Sequence, residues 1–482
     1  MYEFRPVGHV IGRLIIVLGA SMMLPLLLEV MDRSGNTDGF VLAAFLTLAA
    51  GLAMVLITRQ GQAHGLTRPQ AFMLTVLVWV VLPVFGALPF VLGAPEANYT
   101  DAYFEAMSGL TTTGATVFAG LDEAPRGMLL WRALLQWYGG VGIVIVAIVF
   151  LPMMRIGGMQ FFRSESFDIA SDVVPRATEI AASLFYVYLA LSLAAVLAYS
   201  AAGMSGFDAL AHAMTTVSTG GYGTSDSSFR NFDPATHYVA IAFMWLAALP
   251  FIRFVQLARG NTRGIRGDSQ IQAFLAIVLL VSAVMAIWLV VNDHRPLPEA
   301  IRAALFNVTS VMTGTGYASA PYDTWGTMPV ALFFIIPLIG GCTGSTSCSA
   351  KVFRYQVLYG ALVVQIRRIH SPHGVFPLRY QGRPVEPEVV SSIMGYFFVF
   401  VCALSIWAIL LSLLGLDTIT AISAAVASLG NIGPGLGPEI GPSGNYAGLP
   451  DTAKWLLSLG MLLGRLEFLS VLVLFMPIFW QR

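Results

Sequence analysis

A chain of 482 residues, 57% of them hydrophobic and 11% charged, cannot clothe a soluble core in a charged surface. Its 26 basic and 26 acidic residues cancel, so neither a basic footprint for nucleic acid nor an acidic tail is expected. The composition is that of a polytopic membrane protein.

Stretches long enough to cross a bilayer as helices, about 20 residues each, fall at 10–30, 39–58, 71–93, 130–154, 179–203, 236–258, 271–292, 328–366 (interrupted), 388–415 and 452–480. The segment Met1–Pro6 lacks the basic n-region of a signal peptide, so the first stretch reads as a retained helix. Arg155, Arg163, Arg176, Arg253, Arg259, Arg263, Arg266, Lys351, Arg354, Arg367, Arg368, Arg379 and Arg383 fall in alternate connections, with Arg5, Arg13, Arg59, Arg68 and Arg482 on the same side. The positive-inside rule makes that side cytoplasmic and places both termini there.

Past the first two helices (1–66) one unit recurs: a long apolar helix, a short amphipathic helix, a glycine phrase, a polar outer turn and a second apolar helix. The expected unit boundaries are 67–165, 166–266, 267–383 and 384–482. The phrases are Thr112-Thr113-Gly114-Ala115, Thr219-Gly220-Gly221-Tyr222, Thr315-Gly316-Tyr317 and Asn431-Ile432-Gly433-Pro434, all on the outward half. Asp101 opens the short helix that Gly114 closes, and Asp208 and Gly221 repeat that interval; Glu299 to Gly316 and Asp417 to Gly433 are longer. The acids read as caps that complement the positive end of the helix dipole. Gly220 or Gly314 could also take the central position; Gly221 and Gly316 are preferred because a tyrosine follows each.

Segments this short and polar survive at membrane depth only as re-entrant loops covered by protein or water. Four negative dipole ends aimed at one cavity favour a cation, and glycine lets backbone carbonyls approach a common axis to replace the ion's water shell.

In the third unit Ile339-Gly340-Gly341-Cys342-Thr343-Gly344-Ser345-Thr346-Ser347-Cys348-Ser349-Ala350-Lys351 breaks the second long helix. Cys342, Cys348 and Cys402 support neither a disulfide framework nor a CxxC metal site and read as small buried residues. Arg465 lies within the last apolar helix, where a charge on an exposed face would cost roughly 2.5–3.5 kcal/mol. It should face protein or the pore, and Glu467, two positions on, points elsewhere on the same helix.

Four fused units after two extra helices, carrying TTTGAT, STGGYG, TGTGY and GNIGPG, resemble the TrkH/TrkG/KtrB superfamily of potassium transporters, closest to its TrkH branch. The resemblance implies an all-α fold with four helix/pore-loop/helix repeats around a pseudo-fourfold pore. It implies a K+ (and Rb+) filter of backbone carbonyls at Thr112, Thr113, Gly114, Thr219, Gly220, Gly221, Thr315, Gly316, Asn431, Ile432 and Gly433. Because the four phrases differ, weaker K+/Na+ discrimination is expected than from four identical loops. The resemblance also implies a gating loop below the filter, with Gly340, Gly341, Gly344 and Ser345 as its mobile elements and Arg465 as a barrier. Finally it implies a homodimer in the bacterial inner membrane, seated on a cytosolic RCK (KTN) ring that alone binds nucleotide, with 253–266 and 351–383 as docking surfaces. No in-chain cofactor is expected: the chain has no GxxxxGK[ST] loop, and it lacks HExxH and GxSxG enzyme signatures. The competing reading, an ion-coupled transporter of a small solute, would require inverted repeats.

Overall fold

The computed structural model describes residues 4–59, 67–150, 157–162 and 175–477. Arg155, Arg163, Arg482 and the expected boundaries at 66 and 165 lie outside the described residues. Within them the chain is mostly helical. Seven helices are long and apolar enough to span a membrane, and two further pairs do so as bent spans. The remaining expected span, 328–366, is the interrupted one.

The N-terminal helices, Arg5–Ser21 continued by Met23–Asp32, and Thr37–Thr58, pack closely through small residues. A methyl on Gly12 would sit 3.0 Å from the Val55 amide nitrogen, and one on Gly51 2.9 Å from that of Ile16, the close backbone approach that joins helices in lipid. Glu29, fully buried, accepts from the Met128 amide at 3.2 Å. Its carboxylate thereby caps the first turn of a helix in the first unit.

Each unit opens with an outer helix: Arg68–Gly86, Pro175–Ala201, Ser269–Asn292 and Pro387–Leu413. A short helix follows: Tyr99–Leu110, Gly206–Val217, Leu297–Thr313 and Thr418–Gly430. In the last turns of these short helices every residue but Met214 is buried, Ala102 to Leu110 without exception in the first, as polar backbone at membrane depth requires. The acids sit where a helix dipole favours them. Asp417 is itself the N-cap, accepting from Ile419 N and Thr420 N, whereas Asp101 and Asp208 occupy first turns capped by Asn98 and Ser205.

The inner helices depart from expectation. All four break, not only the third. Arg126–Ile145 runs into a π-turn at Val146–Phe150, and Pro234–Ala248 meets Phe251–Ala258 at 91°. Thr327–Ile335 and Val352–His370 are separated by the glycine- and hydroxyl-rich loop, and Asp451–Arg465 meets Leu469–Phe475 at 101°. Two expected spans, 236–258 and 452–480, are therefore elbows. Pro250 accounts for the first: it pushes Leu249 into extended backbone (ψ 156°) and cannot donate a helical hydrogen bond. In the second, Glu467 takes a left-handed φ of 57° while its carboxylate pairs with Arg354 of the third unit. Beyond Val352–His370 the chain makes a two-stranded hairpin pairing Arg379 with Pro384 and Tyr380 with Arg383. Gln381 and Gly382, both at positive φ, form its turn.

Candidate functional site

Each short helix ends in the same way. The residue two before the central glycine is left-handed in all four units: Thr112 (φ 51°), Thr219 (51°), Gly314 (79°) and Asn431 (51°). In three of them the next amide returns to the helix: Thr113 N to Ser108 O at 2.9 Å, Gly220 N to Thr215 O at 2.8 Å and Ile432 N to Ala427 O at 2.9 Å. This is the left-handed C-terminal cap for which Gly and Asn are the easy residues. The threonines of the first two units hold it under strain. The shared cap aligns Gly114, Gly221, Gly316 and Gly433 as structural equivalents, which fixes the register in favour of Gly221 over Gly220 and Gly316 over Gly314. Gly114, Gly221 and Gly316 have φ of 85°, 80° and 83°; Gly433 does not share this conformation.

These glycines meet one another's loops in cyclic order. A methyl on Gly114 would strike the Gly220 carbonyl, one on Gly221 the Thr315 carbonyl, one on Gly316 Pro434 and the Gly433 amide, and one on Gly433 the Gly114 carbonyl. In every case the nearest atom would lie under 3.0 Å away. The four loops thus close a ring in which each central residue has no room for a side chain.

Aromatic hydroxyls brace the joints. Tyr222, after Gly221, donates to the Glu105 carbonyl of the preceding short helix at 2.8 Å. Tyr317, after Gly316, occupies the same relative place and meets Thr215, Thr216 and the His212 carbonyl of its own preceding helix. Ala115 and Pro434 cannot do this. Between the fourth and first units Tyr446 substitutes, donating to the Gly433 carbonyl at 3.0 Å while its amide donates to Thr116 O at 2.8 Å. Asn431 completes that joint by donating to Thr113 Oγ1 at 3.0 Å and Met461 O at 2.8 Å. Outside the ring lies a cavity of about 300 Å³ lined by all four central glycines, Arg132, Asp226 and Tyr446.

On the other side of the ring lies the loop 339–351. Gly340 and Gly344 are left-handed (76° and 75°); Gly341 is not, and is required instead by close approach, since a methyl there would lie 2.7 Å from Ser347. The loop is tied to the elbow of the second unit: Cys342 N to Ala248 O at 3.0 Å, Thr346 Oγ1 to Ala247 O at 3.0 Å and Phe251 N to Gly344 O at 2.9 Å. It also holds the ends of two short helices, with Ser347 Oγ donating to Thr313 O at 2.7 Å and Ser349 Oγ to Gly430 O at 3.2 Å. Ser345 closes its own turn on Cys342 O at 2.6 Å.

Arg465 is the last residue of its half-helix, where the dipole favours a cation, and is 4% exposed. One nitrogen donates to Cys348 Sγ at 2.8 Å and to Thr346 O at 3.4 Å. Its Nε and other terminal nitrogen have no hydrogen-bond partner among the described residues. A cavity of about 30 Å³ lies against it, lined also by Gly344, Ser345, Lys351, Asn431 and Glu467.

Comparison with known proteins gives the same identity. The family model for TrkH, described as a cation transport protein, matches residues 39–482. The chain belongs to the TrkH family. Over its whole length it is 40% identical to the Trk system potassium uptake protein TrkI of Halomonas elongata, covering 98% of that protein. It is 33% identical over its whole length to TrkH of Escherichia coli K12, all of which it covers. The crystal structure of the potassium transporter TrkH from Vibrio parahaemolyticus superposes with a TM-score of 0.91 at 33% identity, each chain covered completely.

The structure brings the residues that the sequence singled out into one region. The glycine phrases meet in one ring, the loop lies beneath it, and Arg465 adjoins that loop. Glu467 pairs with Arg354 and not with Arg465; the expectation that both lie on one helix is overturned, because the helix ends at Arg465. Arg465 itself ends a half-helix instead of lying inside a continuous span. Sequence reasoning missed Cys348 as the partner of Arg465, Tyr446 as the closing brace, and a buried ion pair, Arg132 Nε to Glu105 Oε1 at 2.8 Å. That pair had a visible signal: one residue of each sign in consecutive membrane-depth segments.

Proposed function

We propose that this chain takes up K+ across the bacterial inner membrane through a channel-like pore whose filter is the glycine ring. The observation that carries the reading is the cyclic closure of Gly114, Gly221, Gly316 and Gly433 on one another's backbones. Such a ring presents carbonyls, not side chains, to a dehydrated cation, and four short helices end at it with their negative poles. The unit boundaries expected from sequence are proposed with it. The membrane potential supplies about 2.3 kcal/mol per charge per 100 mV.

Entering from the outer cavity, the ion would pass the ring and meet the loop and Arg465, which together form the proposed gate. Every central glycine leans on the next unit in the same rotational sense, as parallel repeats about one axis do. Inverted repeats of a coupled transporter would not repeat that sense, which favours the pore.

Regulation is proposed to come from a homodimer docked on a cytosolic nucleotide-binding RCK (KTN) ring. Not every basic residue of the inner connections serves that surface. Arg253 pairs with Asp268 at 2.8 Å, and Arg354 is fully buried beneath Tyr396, its guanidinium 3.8 Å from the ring centre. Arg259, Arg266, Arg367, Arg368 and Arg379 are exposed and are the docking candidates.

The test is Rb+ uptake into liposomes by the purified protein with Na+ as competitor, alone and with the ring subunit. Uptake that excludes most Na+ is expected; cation flux without discrimination, or coupled solute uptake in its place, overturns the reading.

A further inference from the structure

Nine residues before the central glycine, the four short helices carry Glu105, His212, Asn307 and Ala424. In the first and third units this residue clasps the outgoing segment at the third position past the glycine. Val117 N donates to Glu105 Oε2 at 2.9 Å, and Ser319 N to Asn307 Oδ1 at 3.1 Å. The fourth unit, with Ala424, moves the clasp one residue back: Leu436 N donates to Ser423 Oγ at 3.0 Å. The second unit departs, since His212 turns its Nδ1 to the Asp208 carbonyl at 2.9 Å.

A neutral side chain is therefore enough for the clasp, as Asn307 and Ser423 demonstrate. Glu105 brings a charge as well, fully buried, and a buried carboxylate requires a partner. Arg132, 1% exposed on the first inner helix, provides it and reaches further. Besides Glu105 it donates to Thr116 Oγ1 at 3.2 Å and, in the second unit, to Gly223 O at 3.1 Å, with its guanidinium 4.1 Å from the centre of the Tyr222 ring. Thr116 and Gly223 each lie two residues beyond a central glycine, and Thr116 also donates to Glu105 at 3.0 Å. One guanidinium thus fixes the exits of two adjacent loops to each other, beside the outer cavity that it helps to line.

We propose that Glu105 and Arg132 form a positioning pair that sets the opening between the first and second filter loops and so sharpens discrimination of K+ against Na+. The inference rests on the reading of the ring as a K+ filter. Neither side chain is asked to bind the ion. Gln136 of the first inner helix already holds the second loop at ring depth, donating to the Gly220 carbonyl at 2.6 Å and accepting from Tyr222 N at 3.0 Å. The ion pair adds the tie two residues further out, between Thr116 and Gly223, without which the two exits are freer to spread.

The test compares wild type with Arg132→Lys, Glu105→Gln and the double variant Glu105→Asn with Arg132→Leu, each purified and reconstituted for Rb+ uptake against Na+, with thermal stability measured alongside. Lysine keeps the charge but cannot reach Glu105, Thr116 and Gly223 together. Glutamine keeps an acceptor for Val117, so it carries the test if the lysine variant does not fold. Both single variants should lose discrimination by about tenfold, the scale of one charge-assisted hydrogen bond. The double variant copies the neutral clasp of the third unit and buries no lone charge. It should regain stability but not discrimination, because nothing then reaches Gly223. Single variants that discriminate like wild type, or a double variant whose discrimination returns together with its stability, would overturn the proposal. A wild type that admits Na+ freely would overturn the filter reading itself.

Discussion

The two sides of the pathway are built from different materials. At the ring, neighbouring units meet through backbone on backbone, and tyrosine hydroxyls and the side-chain amides of Gln136 and Asn431 brace the joints. Beneath it, the loop 339–351 is held by serine and threonine hydroxyls and a few amides, and Arg465 keeps two nitrogens without a hydrogen-bond partner among the described residues. Steric contacts leave no room for a side chain at the ring, whereas hydroxyl hydrogen bonds contribute only about 1 kcal/mol each and can be exchanged singly. A filter must hold its carbonyls still, and a gate must let go. On the proposed reading, close packing serves the first task and replaceable hydrogen bonds the second.

The contrast is broken most severely at the ring. Gly114→Ser or Gly221→Ser places a β-carbon against a neighbouring carbonyl and also demands a left-handed φ. Overpacking of this kind costs about 1–3 kcal/mol, so K+ uptake relative to Na+ should fall by roughly 10- to 100-fold. Gly316→Ser should do less, since its methyl would meet the Pro434 ring carbon first. Equal tolerance at Gly114 and Gly316 in Rb+/Na+ competition would contradict the steric account.

Below the ring the sign reverses. Arg465→Ala removes the charge beside the small cavity and the loop's contact through Cys348, so partner-independent Rb+ flux should rise severalfold while the Rb+/Na+ ratio stays near wild type. A lower ratio would mean that Arg465 supports the filter and not the gate. Smaller still is Ser347→Ala, which loses the hydrogen bond to the Thr313 carbonyl. At about 1 kcal/mol, it should raise basal flux by roughly fivefold at most, read in the same liposomes without the ring subunit. A closed pathway in both variants would shift the gate away from this loop.

Much of this design is legible in the sequence because it repeats. Composition exposes the membrane class, the acid-to-glycine interval exposes the first two loops, and the run of glycines and hydroxyls at 339–351 exposes the loop beneath. What stays hidden is whatever depends on a single contact between distant segments. The elbow at Leu249–Pro250 has a readable signal in its proline, but the elbow after Arg465 depends on Glu467 being drawn to Arg354, 113 residues away. Tyr446 lies 13 residues beyond the glycine it braces, whereas Tyr222 and Tyr317 directly follow theirs. Cys348 reads as a small buried residue, and only the folded chain shows it accepting from Arg465. Local pattern reveals the ring; its braces come from distant segments that no periodicity connects.

The smallest expected effect tests the fourth-to-first joint from outside. Lys454, at the start of the last inner helix and 4% exposed, pairs with Asp101 at 2.5 Å, so it links the same two units as Tyr446 and Asn431. Asp101 keeps other support without it, because Asn98 Nδ2 donates to it at 2.8 Å and it stands in the first turn of a helix. Lys454→Met, which preserves the apolar stem, should therefore cost about 1 kcal/mol or less, seen as a modest fall in Tm that shrinks with added salt. Rb+/Na+ discrimination should not move, because the joint's spacing at ring depth is set by Tyr446 on Gly433 and Asn431 on Thr113. If discrimination falls with the ion pair, the outer rim and not the backbone contact sets the ring's width, and the contrast between a sterically closed filter and a hydrogen-bonded gate fails at its upper end.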